Sequence, residues 1–201
     1  NPSRSAKGIQ NRFRSRSGEP LNILEEPDHL VVAASEREVI PYHEGIYTIY
    51  AQARSVVESW YLQIKVDGLE YVSSAQAVLS GMVGSNLIAT NTRVTEPEAA
   101  IWFNLQKSDD KGVPVICTVF GTFGRIDRST NNLEVTFNIQ TTDGKTVVRT
   151  FDISGLFETE NAIRHHWLLL DETIKIDPPQ TGGGFDPKVD DWDEEHHDVT
   201  I

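Results

Sequence analysis

LEVTFNIQTTDGKTVVRTFDI, residues 133–153, carries the pattern on which the fold turns. Leu133, Val135, Phe137 and Ile139 are apolar and alternate with polar residues, the period of a strand with one buried face. Beyond Asp143 and Gly144, Val147, Phe151 and Ile153 share the same odd parity. A two-residue Asp143-Gly144 loop would pair Ile139 with Val148 and Val135 with Asp152, which mixes apolar and polar faces. A three-residue loop, Thr142-Asp143-Gly144, with Gly144 left-handed in a G1 bulge, keeps the faces separate. It pairs Ile139 with Val147, Val135 with Phe151 and Leu133 with Ile153, and sets Arg149 opposite Phe137 as an unexplained partner.

The same short period recurs outward from this hairpin. In VVESWYLQIKVDG, Trp60, Leu62, Ile64 and Val66 alternate with Tyr61, Gln63, Lys65 and Asp67, and Asp67-Gly68 ends the run. Further strands are predicted at DHLVVAA, GIYTIYAQA, YVSSAQAVLSG, SNLIAT, AAIWFNLQ, VPVICTVFGTFGRI and HHWLLLDETIKI, separated by SGMVGSN, KSDDKG, DRSTNN and TTDGK. Regular short strands between turn clusters predict an all-β sandwich or barrel. VPVICTVF and WLLL are apolar on both parities, as expected of interior strands covered on both faces or of strands near a domain interface, and neither reads as an exposed edge. No stretch has convincing helical periodicity; SGLFETENAIRHH is read as one short helical turn or a loop.

The 201 residues include 38% hydrophobic residues and carry a formal net charge of -12. That suffices for a core within an acidic surface and disfavours nucleic acid, whose phosphates need clustered Lys and Arg. Residues 1–20 hold Arg4, Lys7, Arg12, Arg14 and Arg16 against Glu19, whereas residues 177–201 are dominated by Asp and Glu. A basic flexible arm and a solvated acidic finish are expected. Cys117 is the one cysteine, so the chain has no internal disulfide, and its setting in PVICTVF reads as core. No apolar run approaches the length of a membrane-spanning helix. The start, NPSRSAKG, is not a signal peptide, which leaves either a cytosolic protein or a chain downstream of a removed leader.

The residue patterns that could carry chemistry are sparse. Adjacent His165 and His166 would point to opposite faces of a strand and share no ion. His196 and His197 lie among carboxylates, yet the segment lacks the central glycine and closing glutamate of a calcium loop. Gly182, Gly183 and Gly184 precede no Lys-Ser or Lys-Thr and read as a hinge. There is no G-x-S-x-G, and Asp109-Asp110 sits in a turn. No catalytic residue, metal site or cofactor is assigned. Trp60, Trp102 and Trp167 fall within strand patterns and are read as core. Trp192, among Asp190, Asp191, Asp193, Glu194 and Glu195, is expected to dock on the domain or into another chain.

SAQAVLSGMVGS, VFGTFG, LEVTFNIQTTDGKTVVRTFDISG and the closing GGGFDPKVDDWDEE occur in an order that resembles the fimbrillin-like proteins of Bacteroidetes. The resemblance covers roughly residues 56–201, and more loosely PDHLVVA from Pro27. It implies transthyretin-like, Greek-key β-sandwich domains in an exported lipoprotein of the outer membrane or fimbrium, with any lipid anchor outside this chain. It also implies subunits joined by strand addition after proteolysis at an arginine, for which Arg12, Arg14 and Arg16 are candidates. Only about 55 residues precede the better-matching part, too few for a full N-terminal sandwich, so a truncated or processed form is expected.

The expected organisation is a basic arm with the remnant of an N-terminal β domain over 1–55, a β-sandwich over 56–177 and a Gly-hinged acidic tail over 178–201. An incomplete sandwich leaves edge strands unpaired, and a hinged terminal strand can cover them by β-augmentation. Val189, Val199 and Ile201 share one parity and are the candidate strand-exchange residues, with Trp192 as the docking anchor. The reading is a non-enzymatic fimbrillin-like adhesion or assembly protein whose partners are other fimbrial subunits or host and bacterial surface ligands. The main alternative is a surface glycan-binding β-sandwich module, distinguished by an exposed row of aromatics on one sheet face. A metal-dependent hydrolase is the third, and requires His196, His197 and carboxylates to converge in a pocket.

Overall fold

The computed structural model describes residues 22–33, 39–42, 44–126 and 133–179. Its strands are β1 (Ile23–Glu25), β2 (Val31–Ala33), β3 (Ala53–Ser55), β4 (Glu58–Asp67), β5 (Val72–Met82) and β6 (Ser85–Leu87). They continue as β7 (Thr92–Val94), β8 (Ala99–Asp110), β9 (Val113–Thr122), β10 (Glu134–Thr141), β11 (Thr146–Asp152) and β12 (Trp167–Lys175). The ladder order is β11-β10-β5-β8-β9-β4-β12, with β1 added parallel to β8. β2 pairs with β3 and β6 with β7 as separate ribbons.

Strand β8 makes this a sandwich. Its first half, Ala99 to Leu105, pairs with β5, and its second half, Gln106 to Asp110, pairs with β9. The strand therefore passes from one layer to the other and curls the ladder around a shared core, giving an all-β sandwich. Phe103 on β8 and Phe120 on β9 stack inside it with centroids 4.3 Å apart. Trp60, Leu62, Ile64 and Val66, the apolar parity of β4, are all buried in the same core.

The hairpin register is as predicted. Val135 faces Phe151, Phe137 faces Arg149 and Ile139 faces Val147. The Ile153 N–H donates to the Leu133 carbonyl at 2.8 Å. Thr141 and Lys145 close the loop, and Gly144 has φ of 81°, a conformation that costs a Cβ-bearing residue. The Arg149 partner is explained by position. Among the described residues β11 is an edge strand, so the guanidinium escapes to solvent and donates to the Val148 carbonyl while Phe137 packs against Phe151.

Three expectations are corrected. GIYTIYAQA forms no strand until Ala53, and Tyr42, Ile46 and Tyr50 are 97%, 95% and 92% exposed. Strand propensity acts through a neighbouring ladder, and no strand of the described residues lies beside this segment. WLLL is not interior: β12 ends the sheet and pairs only with β4 among the described residues. Its register shifts between Leu170 and Thr173, a bulge beside Asp171 and Glu172 that blunts the edge. Finally, HH does not begin the last strand. A 3-10 turn over Ser154–Glu158 leads into α1 (Glu160–His165), whose first turn is capped by Thr159 Oγ1 accepting from the Ala162 N–H. Six residues are too few for a helical period to register in sequence.

Candidate functional site

The outward parity of β4 carries Ser59, Tyr61, Gln63 and Lys65. Across the ladder, Ser59 faces Gly121, Tyr61 lies between Val119 and Trp167, and Gln63 lies between Cys117 and Leu169. These residues form the outer face of the β8-β9-β4-β12 layer, and two features make it concave.

At one end the segment 26–29 crosses the face. The Gly121 N–H donates to Glu26 Oε2 at 3.0 Å. A Cβ on Gly121 would stand 2.9 Å from the Pro27 carbonyl oxygen and 3.1 Å from Val57 Cγ1, so only glycine lets this strap lie so close. Glu26, Pro27, Asp28, His29, Ser59 and Val119 surround a hollow of about 300 Å³.

At the other end Gln63 Nε2 donates to Asp110 Oδ2 at 3.2 Å. Gln106 is level with Cys117 and hence with Gln63 in the ladder, so Asp110, four residues further along, reaches Gln63 only if the β8-β9 tip leans over the face. Gln63 Oε1 also accepts from the Tyr61 hydroxyl at 2.6 Å. A ring whose hydroxyl reaches the side chain two residues on lies along its strand. Burial first, then the neighbouring Cys117 and the Asp110 charge, push the Tyr61 phenol up to about 12, so it remains a neutral donor.

Trp167 flanks Tyr61 with centroids 6.4 Å apart and is 44% exposed, and His165 lies 4.8 Å from Trp167. His166 goes the other way. With φ of 58° it caps α1, stacks on Trp60 at 4.5 Å, and its Nδ1 is 3.2 Å from the Ser59 carbonyl oxygen. The two adjacent histidines thus serve opposite sides of the layer, and no group of three His, Cys, Asp or Glu suited to a metal occurs among the described residues.

Of the tryptophans read as core, Trp60 is buried there and Trp167 is not: it sits on an edge strand with its ring on the outer face. Trp102 packs against Ile23, Val78 and Ala100 in a separate small cluster, and its indole N–H is buried without a partner among the described residues. Sequence pattern alone gives Tyr61 no role, although an aromatic on the polar parity of β4 is the signal that marks it. The candidate strand-exchange residues Val189, Trp192, Val199 and Ile201 lie outside the described residues. So do His196, His197 and the candidate processing residues Arg12, Arg14 and Arg16.

No helix of the described residues is long and apolar enough to cross a membrane. No family model and no curated protein matches the chain. Among solved structures, the crystal structure of a "putative adhesin" from Bacteroides ovatus is similar, with 20% identity and a TM-score of 0.58. The match covers 79% of this chain and 61% of that one, so this chain spans less than two thirds of its neighbour, and the likeness is one of fold.

Proposed function

We infer that the chain is a non-enzymatic, fimbrillin-like surface adhesion protein, exported to the outer membrane, whose subunits join by strand addition. The observation that carries this reading is the edge of β12, which has no ladder partner among the described residues and continues directly into residues 178–201. Unpaired N–H and C=O groups on such an edge are a template for an extended segment. The flat stretch is Trp167 to Leu170, ahead of the bulge. Val189, Val199 and Ile201 supply the apolar parity of the incoming strand, Trp192 anchors it, and Arg12, Arg14 or Arg16 is the site of processing. The fold likeness to a protein described as an adhesin supports the same class. The sandwich over 56–177, a preceding remnant over 1–55 that lends β1, and a tail over 178–201 form the proposed organisation.

Amide exchange and light scattering on the full chain test it. The outward amides of Trp167 to Leu170 should gain protection as concentration rises and oligomers form. Val199→Asp with Ile201→Asp should abolish both effects. Unchanged exchange in the double variant would overturn strand addition. Adherence of protein-coated beads to bacterial or epithelial surfaces tests the adhesion role separately.

A further inference from the structure

We propose that the concave outer face of the β8-β9-β4-β12 layer binds a neutral oligosaccharide, with one ring in the hollow beside Ser59 and the next in the corner between Tyr61 and Trp167. This names a ligand class for the adhesion reading above and rests on it only for the biological role. A pyranose ring has an apolar C–H face and a rim of hydroxyls, so its site needs an exposed aromatic wall flanked by planar polar groups. The Tyr61 hydroxyl is held by Gln63, and the half-exposed Trp167 ring stands at 67° to the Tyr61 ring, so the two form an aromatic corner against which the C–H face of a sugar can pack. Glu26, Asp28, His29 and Ser59 line the hollow at one end, and Gln63 and Asp110 stand at the other.

Ser59 and Gln63 are four residues apart on one face of β4, about 13 Å along the strand, enough for a short run of sugar rings. The floor is rigid ladder, and the Tyr61-Gln63-Asp110 chain fixes its polar groups before any ligand arrives, which reduces the ordering cost of binding.

Charge selects among saccharides. Glu26 and Asp28 at one end and Asp110 at the other place carboxylates around the face of a chain whose net charge is -12. Uronic acids, sialic acids and sulfated glycans are repelled, whereas neutral sugars offer hydroxyl donors to the same oxygens. Other occupants fit less well. Nucleic acid meets the same repulsion, and an added peptide strand needs an open edge rather than the face of a paired sheet.

The test is calorimetric titration of the full chain with cellohexaose, xylohexaose, mannohexaose and maltohexaose, and with oligogalacturonate as the anionic probe. At least one neutral hexaose should bind, and Trp167→Ala should weaken it by about tenfold or more. Trp167 is substantially exposed, so its truncation leaves the core intact. Val148→Ala, on β11 in the other layer, should bind as wild type. Oligogalacturonate should bind at least about tenfold more weakly, and Asp110→Asn should narrow that gap. The proposal is overturned if no neutral hexaose saturates the protein below about 10 mM, or if Trp167→Ala binds as well as wild type. Coated beads that adhere to cells while the protein binds no neutral hexaose would defeat the site and leave the adhesion reading standing. Sugar binding without adherence would do the reverse.

Discussion

The hydroxyl of Tyr61 donates to Gln63 Oε1 at 2.6 Å, a contact between residues two apart on one face of β4. It lays the ring along the strand and puts the phenol where burial raises its pKa from 10.0 to about 12. A folded-state value above the unfolded one means that the unfolded chain ionises first as pH climbs. The stabilisation is therefore fully present below 10.0 and is lost as pH rises through about 12. Spectrophotometric titration should show a tyrosine ionising in that upper range, and Tyr61→Phe should remove the step.

The Asp143 carboxylate behaves in the opposite sense. Hydrogen bonds from Lys145 and then Thr141 lower it from 3.8 to about 2, and Lys145 Nζ stands 2.8 Å away. Its contribution to the β10-β11 turn is present above 3.8 and is lost as pH falls through about 2. Carboxyl chemical shifts followed by NMR should show this low midpoint, and Lys145→Ala should move it upward.

Phe120 is buried where the two layers meet and stacks on Phe103. Phe120→Ala opens a cavity that a rigid ladder on both sides cannot fill, so a loss of about 3–5 kcal/mol is expected. Urea denaturation with an unchanged slope would register it.

Gly121 admits the 26–29 strap. Gly121→Ala places a methyl group 2.9 Å from the Pro27 carbonyl oxygen, and the strap must shift. A cost of about 1–3 kcal/mol is expected, together with faster amide exchange at Asp28 and His29 than in wild type. Unchanged exchange there would show that the strap does not rest on Gly121.

Much of the fold follows from local pattern. The odd-parity residues from Leu133 to Ile153 specify one register because any slip by one residue would expose Phe137 and Ile139. The β4 alternation likewise places Trp60 inside and Tyr61 outside. GIYTIYAQA misleads for the same reason that these succeed: residue type records a preference for a pleated surface but not whether a second strand lies alongside.

Sequence by itself determined the long strands from β4 to β11, the hairpin register and the buried parity of β4 and β10, since each depends on residues near one another in the chain and on water's exclusion of apolar side chains. Only the tertiary structure decided that β12 is an edge, that Trp167 faces outward, and that Pro27 and Asp110 bracket the Tyr61 face. Those facts depend on which distant strands become neighbours, a choice made by the bend of β8 between two layers and encoded in no single stretch.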